Sequence, residues 1–528
     1  MASDKGSITL DYRGNLIGAQ YAFAGMSFLI DPADIPIESG LCADICNCDI
    51  DYSYNVDRRN GSSLIASGNI TSAWSNNDYT YCVKDTFLST FNGTTITKID
   101  TVPLGSTVEF KQVNDVVVFS DNVVIGIISN GTTVTYINKA SDWVDVATVA
   151  TWVTNHYPAD PAKWDGTHSN SNFEIDAFKL ATLSGKCLEY FNGVLYLAID
   201  NFIYCTKTFD LAHMDIRYNV VAGFPEAVTM IARVNDGIYV GTSKSLYFLQ
   251  GTGSQRDEKG NVTSSFKQTH LANYPVLYGT SCRVQADLVP LSKADNTVVL
   301  FATTLGIFAG ADSGNYTNMS LSQISMPYQT KGTAIFREYK SIYQYIVCFN
   351  TATDIISTSP SISIDSTKVV DTWILNPING AHSRYANYIF NSFFKYKDIH
   401  YGVNKLGIFQ LTGDKDYSGV SSIESSIDAF IITPTSDYDK RQKKAIDNFY
   451  IHSRAAGELT VDVIVDENNT IEDIPIRYDN RVGLHRKRAK IPKGLQGTDF
   501  RFKIKNIDSS YFNIFNAEVS VKTLKRTI

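Results

Sequence analysis

The amino-acid sequence predicts an all-β protein, and three observations lead to this class. Aromatic residues make up 12% of the 528 residues, with 30 Tyr and 28 Phe, and this richness favours strands over helices. Hydrophobic residues make up 44% and charged residues 19%, which excludes a disordered chain, since disorder needs few apolar residues and much charge. Short apolar segments joined by polar turns recur along the chain. A chain of this length holds about two to four domains, or one large repeat domain with an appendage.

The recurring unit is a β-hairpin. Each copy is an apolar strand, a short polar or glycine turn and a second apolar strand, which is the pattern of a tight hairpin. The clear copies occupy residues 79–89, 115–128, 193–205, 237–249, 296–309 and 397–411, and a poorer copy occupies residues 343–356. They recur every roughly 40–60 residues apart from one larger gap, and periods near 40–50 residues indicate propeller blades.

We therefore predict that residues 66–436 form a divergent β-propeller of six to eight blades. A single blade cannot bury both of its apolar faces, whereas blades stacked around an axis can do so. Closing the ring also removes exposed sheet edges, which otherwise pair with other chains. A pair of β-sandwiches is the alternative architecture for the same hairpins.

The segments around the hairpins differ in character. The first 65 residues predict an extended arm or clasp. The larger gap holds an inserted subdomain at residues 139–186, in which residues 141–152 have helical spacing. Its tryptophans, which we take as candidate interaction residues, are Trp143, Trp152 and Trp164. An insertion of this size contacts a partner or is a decorated surface loop, and the sequence favours neither. A dense charge cluster at residues 437–445 marks a boundary, and the strand-like runs after it predict a C-terminal β-sandwich over residues 437–528.

Charge and hydropathy limit the classes of partner. The formal net charge is −7, so the whole chain is not a basic nucleic-acid binder. The N-terminus lacks a basic segment followed by an apolar one, so we expect no secretory signal. The longest uncharged stretches have about 17 residues, short of the roughly 20 that a membrane helix needs. We expect a soluble protein without a membrane anchor that is made in the cytoplasm with reduced thiols.

The sequence contains no recognisable catalytic motif. A Walker-type phosphate loop, an HExxH zinc motif and a GxSxG nucleophile elbow are all missing, so we predict no enzymatic activity and no cofactor. Cys42, Cys46 and Cys48 are the nearest approach to a metal site, but no fourth ligand lies nearby, and packing as small apolar side chains is favoured. Residues 49–55 alternate oxygen-bearing side chains like a calcium loop, yet Tyr54 stands where the turn needs glycine, so a strand with one polar face is preferred.

Two basic segments are further candidate interaction sites. The larger spans residues 485–490 with Lys493, and its candidate interaction residues are His485, Arg486, Lys487 and Arg488. It would contact phosphates or an acidic partner surface, and charge on a solvated strand is the alternative. The smaller is Arg58 and Arg59, for which ion pairing with the nearby Asp57 or Asp51 is the alternative.

Three segments share short patterns with one protein family. They are residues 47–51 (NCDID) with 58–61 (RRNG), residues 190–198 (YFNGVLYLA) with 203–205 and 209–210, and residues 483–488 (GLHRKR) with 494–497, 500–502 and 515–518. These patterns resemble tailed-bacteriophage virion proteins of the tail hub or nozzle type, which are β-propeller proteins below the portal and adaptor of short-tailed phages. The chain departs from the family pattern at residues 42–48 and in the insertion at residues 139–186.

The resemblance implies a structural function in the virion. Copies would form a ring, a hexamer in line with the family, around a channel that retains the packaged genome and passes it to the host. The implied partners are other copies of the chain, portal, adaptor and tail fibre proteins, and phage DNA that passes without sequence-specific contacts. Rings follow physically from head-to-tail interfaces whose rotation closes. A receptor- or glycan-binding propeller on the virion surface is the alternative function. A propeller glycosidase is the third, although no carboxylate pair of the kind that chemistry needs stands out.

Overall fold

The computed structural model describes most of the chain as β-strands and turns. The described residues are 6–10, 16–105, 107–137, 179–215, 219–253, 255–256, 262–264, 266–289, 297–320, 323–324, 331–340, 342–349, 372–386, 388–417, 424–438, 442–466, 469–476 and 485–524. Short 3₁₀ helices occupy Ile37–Ser39, Ala286–Leu288 and Asp312–Gly314. Within these ranges no helix has the length and apolar character to cross a membrane. The predicted all-β class is confirmed, whereas the predicted helix at 141–152 and the three tryptophans of the insertion lie outside the described residues.

Six short strands come before the first complete sheet. They are β1 (Ser7–Leu10), β2 (Leu16–Tyr21), β3 (Asp44–Cys46), β4 (Cys48–Ile50), β5 (Val56–Arg58) and β6 (Ser63–Ser67).

The next part of the chain forms four-stranded antiparallel sheets, which we number as blades. Blade 1 is β7 (Ile70–Ser75), β8 (Thr80–Lys84), β9 (Phe87–Phe91) and β10 (Ile96–Pro103). Blade 2 is β11 (Glu109–Val113), β12 (Val116–Ser120), β13 (Ile125–Ser129) and β14 (Thr133–Tyr136). After β15 (Lys179–Ala181), blade 3 is β16 (Cys187–Phe191), β17 (Val194–Ile199), β18 (Phe202–Cys205) and, beyond β19 (His213–Asp215), β20 (Val220–Gly223).

Blades 4 to 7 follow the same order. Blade 4 is β21 (Val228–Arg233), β22 (Gly237–Thr242), β23 (Leu246–Gln250) and, after the small hairpin β24 (Gln255–Arg256) and β25 (Val262–Ser264), β26 (Lys267–Ala272). Blade 5 is β27 (Cys282–Gln285), β28 (Thr297–Thr303), β29 (Gly306–Gly310) and β30 (Tyr316–Asn318). Blade 6 is β31 (Gly332–Tyr339), β32 (Ile342–Phe349), β33 (Thr372–Leu375) and β34 (His382–Tyr385). Blade 7 is β35 (Ser392–Tyr396), β36 (Ile399–Val403) and β37 (Gly407–Gln410), completed by β6.

Both faces of a blade are buried, and this explains the continuous apolar runs of the sequence. In β28 the side chains of Val298 and Leu300 belong to the core shared with blade 6. Their neighbours Val299 and Phe301 point to the other face and belong to the core shared with blade 4. A strand that is apolar on both faces cannot alternate with polar residues, so each predicted hairpin reads as two nearly unbroken apolar segments.

The blades close into a ring. Every neighbouring pair shares a buried cluster, represented by Leu88 with Phe119 (blades 1 and 2), Ile125 with Leu197 (2 and 3), Tyr196 with Val240 (3 and 4), Phe248 with Phe301 (4 and 5), Leu300 with Tyr345 (5 and 6), Ile346 with Phe409 (6 and 7) and Phe394 with Phe91 (7 and 1). Strand β6, which precedes blade 1 in the sequence, closes the ring by completing blade 7. It pairs with β37 from Ser63 opposite Gln410 to Ser67 opposite Gly407. The predicted β-propeller is therefore confirmed, with seven blades among the described residues.

The six clear hairpins of the sequence are the second and third strands of their blades. The turn between β8 and β9 carries the expected left-handed residues, Asp85 and Thr86 at φ 49° and 73°, as a two-residue type I′ turn requires. The poorer copy at residues 343–356 behaves differently: β32 is the second strand of blade 6, and the third strand is β33, far along the chain.

The C-terminal region folds as a β-sandwich. Its strands are β40 (Phe430–Ile432), β41 (Lys444–Ala456), β42 (Leu459–Val465), β43 (Asn469–Ile476), β44 (His485–Lys490), β45 (Gln496–Gly497), β46 (Phe500–Asn506) and β47 (Phe512–Thr523), preceded by the small pair β38 (Asp416–Tyr417) and β39 (Glu424–Ser425). One sheet has the order β1-β2-β47-β41-β44, and the other has the order β3-β40-β46-β42-β43. The Phe449 and Phe502 rings stack between the sheets with centroids 4.8 Å apart.

The N-terminal strands are part of this sandwich. Strand β2 pairs with β47 from Gly18 opposite Ser520 to Tyr21 opposite Ala517, and β3 lies between β40 and the outer strand of blade 6. The first 65 residues were predicted as an arm or clasp, and their described strands instead lie in two sheets of the sandwich and in blade 7. The boundary predicted at residue 65 falls within β6, and the sandwich includes β40, before the boundary predicted at residue 437.

Candidate functional site

The axis of the propeller is a small polar cavity. It has a volume of about 220 Å³ and is lined by residues in or next to the first strand of every blade. Polar members of this lining include Ser72, Glu109, Thr229, Lys331 and Ser392. At about 30 Å³ per water molecule, the cavity holds about seven waters. The axial channel can therefore bind water or a small polar molecule, but no polymer.

Charged side chains from adjacent blades meet beside this cavity. The Nζ of Lys111 on blade 2 lies 2.6 Å from Oε1 of Glu189 on blade 3, whose side chain is almost fully buried. The backbone N–H of Arg233 on blade 4 donates to the other carboxylate oxygen at 3.3 Å, and its Nε lies 3.8 Å from Oε1. Burial lowers the pKa of Lys111 and that of Arg233. Glu189 is therefore the shared counterion of two cations from different blades, which fixes the blades relative to one another.

A second carboxyl group lies closer to the cavity. Tyr278 donates from its hydroxyl to Oε2 of Glu109 at 3.4 Å, and the Nζ of Lys186 lies 4.6 Å from the centre of the Tyr278 ring. Burial raises the pKa of Glu109 to about 7. Lys331 donates to the Thr107 hydroxyl at 2.9 Å, and burial together with the Lys186 charge lowers its pKa. The site combines one carboxyl group that titrates near neutrality with two amines.

Sequence reasoning did not identify these channel residues. A signal was present, since Glu109 and Lys111 interrupt the apolar pattern of β11, and Glu189 interrupts that of β16. A charged residue inside a strand that is buried on both faces needs a partner. The first strand of each blade was not recognised as a strand from the sequence, so the charges were not placed together.

The predicted basic run lies on an outer strand of the sandwich. Strand β44 alternates, with Arg486, Arg488 and Lys490 exposed and Lys487 buried. Arg486 donates from Nη2 to Glu518 at 2.6 Å, and its guanidinium carbon lies 3.8 Å from the centre of the Tyr450 ring. His485 begins the strand and is half-buried. This placement agrees with the alternative interpretation, a solvated strand. The exposed cations of β44 form a row on its outer face.

Arg58 and Arg59 are inside the protein. Arg59 forms a two-pronged pair with Asp416 through Nη1 at 3.0 Å and Nη2 at 2.6 Å, and donates to Asn47, Asn60 and Ala386. Arg58 donates to the carboxylate and the backbone carbonyl of Asp414, both at 2.6 Å. Both arginines therefore have a carboxylate partner within the chain. Internal ion pairing is correct, but the partners are Asp414 and Asp416 and not the nearby Asp57 or Asp51.

The cysteine cluster is buried, and the calcium-like segment is a partly exposed turn between β4 and β5. The side chains of Cys42, Cys46 and Cys48 are buried, and burial raises the pKa of each thiol, that of Cys46 to about 11. A metal ligand must be the thiolate, so this environment disfavours metal binding. In the following segment Asp49 forms a buried ion pair with Arg337 at 3.1 Å, whereas Asp51 accepts the backbone N–H groups of residues 53 and 55.

Comparison with known proteins adds only distant likenesses. No protein-family model matches the chain, and no curated protein matches its sequence. The chain is similar to the extracellular domain of BT4673 from B. thetaiotaomicron, with 10% identity and a TM-score of 0.36 over 96% of this chain and 69% of that one. The WD40 domain of Neurospora crassa Pan2 matches with 8% identity and a TM-score of 0.34 over 70% of this chain and 98% of that one.

A designed protein gives a similar result. The computationally designed Ika8 matches with 8% identity and a TM-score of 0.33 over 66% of this chain and 99% of that one. Likenesses at this level carry no argument about this chain. Its propeller fold is established by its own strand pairing and by the clusters shared between blades.

Proposed function

We propose that this chain is a structural protein of a phage tail, whose copies form a ring around the channel through which the genome is retained and ejected. The observation that carries the proposal is the interlocking of the two chain ends. Strand β6 completes blade 7, β2 pairs with β47, and β3 joins the sandwich to blade 6. A component of a particle that holds pressurised DNA needs a fold that does not open from its ends, and this connectivity supports that use.

The genome channel in this proposal lies between copies and not along the propeller axis. The axial cavity has a volume of about 220 Å³ and contains Glu109 and Lys331. The major groove of DNA alone is about 12 Å wide, so a duplex does not fit into this cavity. Each propeller then forms part of the channel wall, and the channel is the space enclosed by a closed ring of copies.

The charge of the chain is compatible with a wall that does not hold DNA. The formal net charge is −7, and affinity for phosphates comes from lysine and arginine. The proposed partners are therefore other copies of the chain and the portal, adaptor and tail fibre proteins, with DNA passing without sequence-specific contacts. The proposed location is the virion.

Sedimentation velocity of the purified full chain tests the proposal, together with electron microscopy of the same sample. We expect one discrete oligomer, a hexamer, that appears in images as a ring with a central opening. A monomer at every concentration up to about 100 µM, both alone and mixed with purified portal and adaptor proteins, would contradict it.

A glycan- or receptor-binding propeller is the second candidate, and exposed aromatic rings on blade 3 favour it. Phe209 is 81% exposed and Phe202 is 40% exposed, and aromatic faces are common binding surfaces. A glycan array probed with the purified protein separates the two candidates. Specific binding that is lost in Phe209→Ala, by a protein that stays monomeric, would favour this second function.

A further inference from the structure

The C-terminal sandwich carries a row of cations on its outer sheet. Arg488 and Lys490 are exposed on β44, and Lys493 follows in the next turn. In the described part of the chain, none of these three side chains has a carboxylate partner, whereas Arg486 in the same row pairs with Glu518. Three exposed cations without a carboxylate partner, two on β44 and one in the turn after it, form a surface that attracts an acidic partner. We call Arg488, Lys490 and Lys493 the basic row.

A concave surface with the opposite charge lies elsewhere on the same sandwich. It has a volume of about 770 Å³ and is lined by residues 33–38, by residues 435–437 and by Ile8. Its carboxylates are Asp34, Glu38, Asp437, Asp466 and Asp499, and the adjacent cations are Lys443 and Lys444. Carboxylates exceed cations there. We call this surface the acidic hollow.

An exposed apolar strip leads into the acidic hollow. Phe28, Leu29 and Ile30 are 43%, 52% and 41% exposed, and the chain then turns through Asp31 into the wall of the hollow. Three consecutive large apolar residues at a surface are unusual unless they serve a contact. An apolar patch beside charged residues is the usual composition of a protein–protein interface. The strip is an observation independent of charge, and it indicates that a protein covers the hollow.

The two charged surfaces lie on the same sheet. In the order β1-β2-β47-β41-β44, the hollow contains Ile8 of β1, and the basic row is on β44 and in the turn after it. Along β41 the hollow is near Lys444, which pairs with Gly497, whereas Lys490 lies opposite Asn448 and Arg488 opposite Tyr450. Among the described residues no ion pair joins the basic row to the hollow of the same molecule.

We infer that the basic row of one copy docks into the acidic hollow of a second copy, with the apolar strip covered in the same contact. The partner is another copy of this chain, because both complementary surfaces are on it and no ion pair joins them within the described part of one molecule. Two different patches in contact make a head-to-tail interface, which propagates and closes into a ring if the rotation allows. This inference rests on the proposed ring function and specifies which surfaces would form it.

Charge-reversal variants of the full chain test the interface by sedimentation velocity. The first variant is Arg488→Glu with Lys490→Glu, and the second is Asp34→Lys with Glu38→Lys. All four side chains are exposed, so the melting temperature of each variant is expected to stay unchanged. Each variant alone should weaken self-association at least about tenfold, since like charges then face each other. The variant that carries all four changes should regain wild-type association.

A matched control carries the same change of net charge away from the interface. Lys244→Glu with Lys267→Glu alters two exposed lysines of blade 4 and should leave association unchanged. The wild-type contact should also weaken between about 0.15 M and 1 M salt, as the screening length falls from about 8 Å to about 3 Å.

The outcomes separate the inference from the proposed function. Rings that still form in both reversal variants would overturn the inference and leave the ring function intact. Open chains that depend on the four residues but never close would support the interface and overturn the ring. A wild-type chain that stays monomeric would overturn both. Loss of binding to a 30-base-pair duplex DNA probe in Arg488→Glu with Lys490→Glu, with self-association unchanged, would assign the basic row to nucleic acid and overturn the inference.

Discussion

Two neighbouring arginines provide a controlled test of how burial of the partner sets the strength of an ion pair. Arg58 and Arg59 have almost fully buried side chains, and each approaches its carboxylate to 2.6 Å. The carboxylates differ: the side chain of Asp414 is 87% exposed and that of Asp416 is 10% exposed. Replacement of either arginine by alanine removes a similar side chain, but only Arg59→Ala leaves a carboxylate inside the protein without its counterion.

The structure gives the expected size of each loss. Removing one partner of a buried pair costs about 3–5 kcal/mol, because the remaining charge stays desolvated. Arg59→Ala also removes hydrogen bonds to Asn47 and Ala386, so we expect a loss of about 4 kcal/mol. Arg58→Ala leaves Asp414 free to hydrate, and we expect a loss of about 1–2 kcal/mol. Arg59→Lys keeps the charge without the two-pronged geometry and should fall between the two.

Urea denaturation followed by tyrosine fluorescence measures these losses, and differential scanning fluorimetry gives an independent ranking. Equal losses in Arg58→Ala and Arg59→Ala would refute the argument from partner burial. A variant Arg59→Ala with unchanged stability and weakened self-association would instead return Arg59 to the candidate interaction residues.

Three further predictions concern ring closure and pH. Gly407→Ala should destabilise the pairing of β6 with β37, because the new Cβ would lie 2.0 Å from the Ala66 carbonyl oxygen. The rate of hydrogen exchange in β6 should rise more than in the control Gly380→Ala, where no atom lies within 4 Å of the new Cβ. Burial lowers the pKa of His382 to about 4, so about 3 kcal/mol of stability that is present above pH 6.5 is lost as the pH falls from 6.5 through 4. The change in urea midpoint between pH 7 and pH 4.5, compared between wild type and His382→Gln, isolates this loss from those of other titrating groups. The raised pKa of Glu109, about 7, has the opposite effect on the pH dependence of stability. Because the folded protein favours the neutral carboxyl group, stability falls as the pH rises from 4.5 through 7. Glu109→Gln should therefore raise the urea midpoint at pH 8 and leave it nearly unchanged at pH 4.5.

The sequence predicts the middle of each blade and fails at its edges, for a physical reason. The hairpins are local, and turns such as Asp85-Thr86 lie within about ten residues of both of their strands. The third strand of blade 6 is not recognisable from the sequence, because β33 follows β32 only after a long intervening segment. The first strands are mixed in character, since they face the polar axial cavity on one side, so they carry no clean apolar run.

The partners of the N-terminal segment were beyond the reach of sequence patterns. Nothing in the sequence of β2 indicates that Gln20 lies opposite Glu518. Arg59 has carboxylates within a few residues, yet its partner is 357 residues away. Pattern and spacing identify what kind of neighbour a residue needs, whereas the fold decides which of many candidates it meets.

The same long-range pairings make closure of the propeller depend on the sandwich. Residues 58–62 lie against residues 413–416, which follow the last strand of blade 7, and β5 in the same segment pairs with β47. Strand β6 therefore reaches β37 in register only when its leading segment is held by the C-terminal strands. Because these contacts join the two ends of the chain, we expect slow folding that is limited by long-range pairing. Once formed, β6 is held by β37 on one side and by the segment that joins it to β5 and β47 on the other, so we expect hydrogen exchange in β6 and β47 to be as slow as in the blade cores.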